Sequence, residues 1–190
     1  MHDVAARIAL FPRVVMELGM GDGRLLESLA KRDDNTLHIG IELDAGQCDR
    51  ARSRIVQDNV LILNGSFVDM LPAFPNSSVD QFLAVLPDPA YIDEKKAREW
   101  EPFYRTVYSK MKKGGTLQIV TEITDELLQP VGDGEYLRWA EWLKATFTAA
   151  GFALVHQREG APVEYPTRCL DQFRGDPERI RMTTIDLAKK

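Results

Sequence analysis

The chain has only two cysteines in 190 residues, Cys48 and Cys169, too few and too far apart for a disulfide framework. A reduced, cytoplasmic compartment is therefore the expectation. No apolar run approaches the roughly 18 residues needed to cross a bilayer. The opening MHDVAARIALFPR carries an acid and lacks the apolar stretch of a secretory signal, so no membrane association is expected. Basic residues are in deficit: 24 lysines and arginines face 29 acids, a net charge of −5. Bulk electrostatic binding of nucleic acid works through a strongly basic domain, and this balance disfavours it. His2, His38 and His156 are isolated, and Cys48 falls on an apolar helix face. No set of residues has metal-ligand spacing, so no metal site is predicted. Neither a serine elbow nor a Cys–His pairing is present to suggest nucleophilic catalysis.

What remains is an ordinary globular composition, 44% hydrophobic and 28% charged, at a length that suits one domain. A single unit over 1–190 is expected, with a short N-terminal segment (1–13) before a core at 14–187. Charge is unevenly spread. Residues 94–113 hold seven basic residues, among them Lys95, Lys96, Lys110 and Lys112, against three acids. Residues 116–142 hold six acids against Arg138.

Short apolar runs at 14–18, 37–41, 60–63, 79–86 and 116–121 read as buried strands. Helical patterns separate them. Leu25, Leu26, Leu29 and Ala30 share one face, and Ala45, Cys48, Ala51 and Ile55 share another. Ala97, Trp100, Tyr104, Val107 and Met111 follow the same period, with Pro102 expected to start or kink that helix. Leu137, Ala140, Leu143, Phe147 and Ala150 form one more, which Gly151 can cap. Strands at 152–156 and 181–187 follow. This alternation predicts an α/β fold with a parallel sheet covered on both faces.

The string VVMELGMGDGR, residues 14–24, joins a strand to a helix through Gly19, Gly21 and Gly23. Glycine there permits a tight turn and close approach of a ligand. A dinucleotide fingerprint would need its third glycine at Arg24. Glu17 stands just before the loop, where a carboxylate repels a pyrophosphate but attracts an ammonium or sulfonium. Glu42 ends the next strand, placed to accept both hydroxyls of a ribose. S-adenosyl-L-methionine carries both cations and a ribose, and is the cofactor these residues suggest. At the exit of the fourth strand, Pro87-Asp88-Pro89 fixes the backbone on both sides of one carboxylate. That carboxylate could orient an acceptor, act as a general base, or simply cap its own turn.

These residues resemble the class I S-adenosylmethionine-dependent methyltransferases. The resemblance implies a single-domain, Rossmann-like fold with a seven-stranded, mostly parallel sheet whose last strand is reversed. It places Glu17, Gly19, Gly21 and Gly23 around the methionine moiety and Glu42 on the ribose. Asn64, Gly65 and Ser66 stand near the adenine, where many members have an acid. The Pro-Asp-Pro turn resembles the tRNA guanine-N7 methyltransferase family, as do Thr121-Glu122 and Pro166-Thr167-Arg168. That family resemblance implies Asp88 as the catalytic orienting group. It implies Thr121, Glu122, Thr167 and Arg168 as substrate contacts, and Lys95 and Lys96 as phosphate contacts. Ala90-Tyr91 replaces a family tryptophan, which makes Tyr91 the aromatic expected to stack on a base. Leu170 stands where the family has glutamate. The implied acceptor is tRNA or another RNA, docked over residues 95–113 and near Arg168. Alternatives are a small-molecule methyltransferase and a non-catalytic cofactor-binding subunit. A protein partner or homo-oligomer that supplies basic surface is also compatible.

Overall fold

A computed structural model describes residues 2–125, 127 and 129–190. Helix α1 (His2–Ala9) precedes β1 (Arg13–Leu18), α2 (Arg24–Ala30) and β2 (Thr36–Glu42). Next come α3 (Ala45–Arg54), β3 (Val60–Asn64) and the short α4 (Phe67–Met70). Strand β4 (Val79–Val85) leads through single turns at Pro89–Tyr91 and Glu94–Lys96 into α5 (Ala97–Lys110). The chain ends with β5 (Met111–Thr124), α6 (Asp133–Ala149), β6 (Ala153–Glu159), α7 (Arg168–Arg174) and β7 (Ile180–Ala188).

The strands form one sheet in the order β3-β2-β1-β4-β5-β7-β6. β1 to β5 pair in parallel, and β7 runs antiparallel between β5 and β6. This is the reversed last strand that the family resemblance implies. The chain builds outward from β1 to β3 and then returns to lay β4 on the other side of β1. Such a reversal opens a crevice at the carboxyl ends of the two central strands, where open α/β sheets take their ligands.

Both faces of the sheet are covered, which is why its strands read as continuous apolar runs. On one face Met16, Phe82 and Ile119 pack against Trp100 and Tyr104 of α5 and Leu143 and Phe147 of α6. On the other, Val15, Leu83 and Val120 meet Leu25 of α2, Leu170 of α7 and Tyr165. Trp100 and Trp139 are buried. Helix α6 ends as expected at Gly151, whose φ of +100° lets Phe152 N–H reach the Phe147 carbonyl at 3.1 Å.

Several local expectations are corrected. β5 begins at Met111, five residues early, because Gly114 and Gly115 carry the strand through an irregular pairing with β4 rather than ending it. A Cβ at Gly115 would lie 2.9 Å from the Lys112 carbonyl oxygen. Leu137 is 60% exposed; Tyr136, Trp139, Leu143 and Phe147 supply the buried stripe instead. Helix α5 starts at Ala97 and carries Pro102 inside it. Helices α1, α4 and α7 were not foreseen; the last two are a turn or two long, held by Ser66 and Thr167 as N-caps.

Within the core the Tyr104 hydroxyl is buried with no hydrogen-bond partner, its ring edge-on to Phe147 at 4.8 Å. An unmet buried hydroxyl costs about 1–3 kcal/mol. Tyr104→Phe should therefore leave stability unchanged or raise it by about 1 kcal/mol in urea unfolding; a loss above that would mean the hydroxyl has a partner in solution.

Candidate active site

At the carboxyl ends of β1 and β4 lies a cavity of about 590 Å³. The glycine loop, the β2 exit, the α4 cap, the Pro-Asp-Pro turn and the first turn of α7 contribute its walls. The backbone of the loop explains its composition. Gly19, Gly21 and Gly23 all have positive φ, between +55° and +75°, a conformation that strains any residue with a Cβ. Gly23 is also pressed onto α3, where a Cβ would lie 3.0 Å from both Ala51 and Ile55.

Glu17 sits at the cavity base, 2% exposed, and its Oε2 has no hydrogen-bond partner among the described residues. Burial first, then the charges of Asp22 and Glu42, push its pKa from 4.5 up to about 8, while a backbone hydrogen bond from Leu26 pulls the other way. A buried orphan carboxyl facing a cavity awaits a cationic or donor group. Glu42 faces the same cavity but is already engaged. Its Oε2 accepts from Gly21 N–H at 2.9 Å and its Oε1 from Asp44 N–H at 2.8 Å. Each oxygen keeps a lone pair free for a ligand hydroxyl.

Asp88 is exposed at the rim, where Oδ1 accepts from Ala90 N–H at 2.8 Å and caps the turn Pro89–Tyr91. Oδ2 has no donor among the described residues. Just before it, Leu86 takes a φ of +51°. A left-handed non-glycine residue costs on the order of 1–3 kcal/mol and often marks a functional turn. Leu86 N–H is held by the Val120 carbonyl at 2.8 Å, which fixes where the Pro-Asp-Pro turn begins. Tyr91 lines the cavity and is braced by Phe67 and Phe103, at ring separations of 5.0 and 5.5 Å.

The cavity thus gathers Glu17, Gly19, Gly21, Glu42, Ser66, Asp88, Tyr91, Thr167 and Arg168 from the residues singled out in the sequence. It does not gather the others. Gly23 backs the loop against α3. Asn64 turns its amide to the Glu42 and Leu43 carbonyls, at 3.0 Å each, and so braces the β2 exit instead of facing a ligand. Gly65 and the exposed Lys95 and Lys96 lie outside the lining. So do Thr121 and Glu122 on β5. Thr121 Oγ1 and Glu122 Oε2 are buried without partners among the described residues, and burial raises the Glu122 pKa to about 7.

The basic block at 94–113 does not form one surface. Helix α5 runs away from the site, and Lys110 is buried at its far end, donating to the Phe74 carbonyl at 2.9 Å and Asn76 Oδ1 at 2.8 Å. Lys112 is paired with Asp80 at 2.7 Å. Contiguity in sequence over a 14-residue helix spans about 20 Å, enough to separate its two ends functionally. Three arginines do rim the cavity: Arg24, Arg50 and Arg168. Arg24 and Arg50 were missed because each belongs to a helix whose apolar face, and not its charges, was the sequence signal, as were the apolar lining residues Leu43 and Phe67. No group of three metal-ligating residues occurs among the described residues.

A family model described as "Putative methyltransferase" matches residues 12–138, more than half of the chain. The chain belongs to this methyltransferase family. Among curated relatives, the chain is 29% identical over 112 residues to a tRNA (guanine-N(7)-)-methyltransferase of Campylobacter fetus, covering 57% of this chain and 28% of that one. It is 30% identical to a Thermus thermophilus protein of the same name, over 57% of this chain and 37% of the relative. A third such relative, from Pectobacterium atrosepticum, is 27% identical over 94% of this chain and 74% of its own length. The chain thus spans about a third of the length of the first two relatives. Among solved structures, a 16S rRNA methyltransferase, KamB, superposes with a TM-score of 0.73 at 15% identity, covering 100% of this chain and 93% of that one. An antibiotic-related methyltransferase gives 0.71 at 19%, covering 98% and 92%. Both share the fold.

The cofactor of such methyltransferases, S-adenosylmethionine, fits the residues present. Its ammonium would answer the orphan carboxyl of Glu17, its ribose the free lone pairs of Glu42, and its adenine the apolar faces of Leu43 and Phe67.

One residue behind the cavity holds this arrangement. Arg54 on α3 donates to the Asp22 carbonyl at 2.6 Å and to Glu27 Oε2 at 2.7 Å, tying the glycine loop to α2 and α3 together. Arg54→Met should weaken S-adenosylmethionine binding about 5–10-fold in calorimetry while leaving the acceptor KM unchanged, since the bond is partly solvent-screened. Arg54→Lys should recover part of the affinity. Equal loss in both constants would make the contact merely structural.

Proposed function

We propose that this chain is an S-adenosylmethionine-dependent methyltransferase whose acceptor is RNA, with guanine N7 of tRNA as the target atom. The observation that carries the reading is the buried Glu17 carboxyl, whose Oε2 has no partner among the described residues, at the base of a cavity whose next strand end carries Glu42. Family membership and the names of the curated relatives support it.

Bound S-adenosylmethionine supplies a methyl group on a positively charged sulfur, open to in-line attack. Glu17 gives up its proton and holds the ammonium. Glu42, kept rigid by Gly21 and Asp44 N–H groups, accepts from the ribose. Guanine N7 presents an unprotonated lone pair, so no strong base is needed. The work left to the protein is orientation, which can contribute up to about 7–11 kcal/mol in ideal cases. Asp88 Oδ2 accepts from the guanine edge, and Tyr91, braced by two aromatic rings, offers a stacking face. Arg168, Arg50 and Arg24 at the rim take the place of the dispersed lysine block as contacts for phosphates.

The net charge of −5 and the dispersal of the lysines favour a small-molecule acceptor as the second reading. Transfer of radiolabelled methyl to total tRNA, protein and small-molecule extracts, run in parallel, separates the two. The expected result is label in tRNA, recovered as 7-methylguanine after hydrolysis. Label confined to the small-molecule fraction would overturn the RNA reading. Label in tRNA only when a second protein is added would assign the basic surface to that partner.

A further inference from the structure

A second cavity lies on the same sheet face as Glu17 but at the opposite, amino-terminal end of the strands. The register explains how it forms: Arg13 is level with Thr36, and Val15 with His38 on one side and Gln81 on the other. Arg32 and Asp33 from the turn after α2, together with Tyr165, close a space of about 150 Å³.

His38 is 3% exposed, and among the described residues neither ring nitrogen makes a well-formed hydrogen bond, the Asp33 backbone being the polar group that acts on it. An imidazole brings at least one donor, and leaving such a group unmet in the interior costs about 1–3 kcal/mol. A buried polar group of this kind calls for a partner, ordered water or an ion. The charges around it select which. Arg13 donates to Gln81 Oε1 at 3.0 Å, and among the described residues no acid pairs with Arg13 or Arg32. Asp33 is the one carboxylate in the described lining, and both its oxygens are taken. Oδ1 accepts from Asn35 N–H at 3.1 Å and Oδ2 from Thr36 Oγ1 at 2.7 Å. The cavity therefore offers two guanidinium groups and an imidazole against one carboxylate already engaged. Its volume equals about five water molecules at roughly 30 Å³ each. That is too small for a nucleoside and sufficient for a tetrahedral oxyanion.

We propose that this cavity binds a phosphate group, held by Arg13 and Arg32 with His38 beneath. The site is separate from the cofactor cavity, and the proposal does not rest on the methyl-transfer reading. The phosphate could be inorganic or part of an RNA strand, and the chemistry is the same.

Nitrogen–proton correlation spectra of the imidazoles give a direct readout, because His2, His38 and His156 are the only three. Inorganic phosphate, titrated against chloride at matched ionic strength, should shift the His38 signals saturably. It should also make His38 hold its proton at least tenfold more tightly. That change runs against burial and the Arg13 charge, which lower its pKa, and with the Asp33 backbone and then the Asp33 charge, which raise it. Arg13→Gln and Arg32→Gln, both at exposed positions, should each weaken the phosphate effect about tenfold and leave S-adenosylmethionine affinity unchanged. A short oligoribonucleotide that produces the same shift at lower concentration identifies the RNA source; one that produces none identifies the free anion. A His38 response to phosphate no larger than to chloride, or one undiminished in both variants, overturns the proposal.

Discussion

Glu17→Gln should abolish measurable S-adenosylmethionine binding and, at pH 8, make the free protein more stable. The two effects have one cause. Burial holds the Glu17 carboxyl neutral up to about pH 8, against 4.5 for an ordinary glutamate. The unfolded chain loses this proton at lower pH than the folded one. The group's contribution to stability is thus complete below pH 4.5 and is lost as pH rises towards 8, by on the order of 4 kcal/mol in all. Glutamine stays neutral throughout and escapes that loss. Urea unfolding should show the variant more stable than the parent by about 2 kcal/mol or more at pH 8, with the difference vanishing near pH 4.5. The same substitution removes the charge that meets the cofactor's ammonium. A variant that is less stable at pH 8, or that binds the cofactor normally, would remove Glu17 from the site.

Asp88→Asn should lower turnover about 10–100-fold while S-adenosylmethionine affinity stays within about twofold, the range expected when one hydrogen bond to a charged group is lost. Asparagine keeps an Oδ1, so the bond from Ala90 N–H and the cap on the turn survive. What it loses is the second carboxylate oxygen, which has no donor among the described residues, on a residue that lines the cavity. The melting temperature should therefore hold. A fall in melting temperature together with equal losses in turnover and cofactor affinity would make Asp88 a turn-former alone.

The half of the cavity formed by the glycine loop and Glu42 was legible in the sequence because it is built from contiguous strings at strand ends. The loop from Glu17 to Gly23 and the carboxylate at Glu42 each follow an apolar run whose buried character sets their position. The half formed by the Pro-Asp-Pro turn, α4 and α7 was less legible, for particular reasons. Leu86 takes its left-handed turn at a position where no glycine or asparagine signals it. Phe67 reaches the cavity from a four-residue helix too short to leave a period. Thr167 and Arg168 were found, but the helix they begin was not. Asn64 looks in sequence like a ligand contact, yet its amide is consumed by two backbone carbonyls. The lysine block misleads most, since a helix carries successive residues to opposite ends of the sheet. Only the fold distinguishes Lys110, buried under three acceptors, from Arg168, left at the rim.

Calorimetric titration of the protein with S-adenosylmethionine at pH 6 and pH 7 tests the central claim most directly. This window keeps the ligand's own α-amino group mostly charged, since such groups titrate near 7.7–8.0. With Glu17 titrating at about 8, its ionised fraction rises nearly tenfold between the two values. The account predicts a Kd about tenfold lower at pH 7 than at pH 6, with close to one proton released per ligand bound, read from buffers of different ionisation enthalpy. Binding that is absent at both values, or of equal strength at both with no proton released, would contradict it.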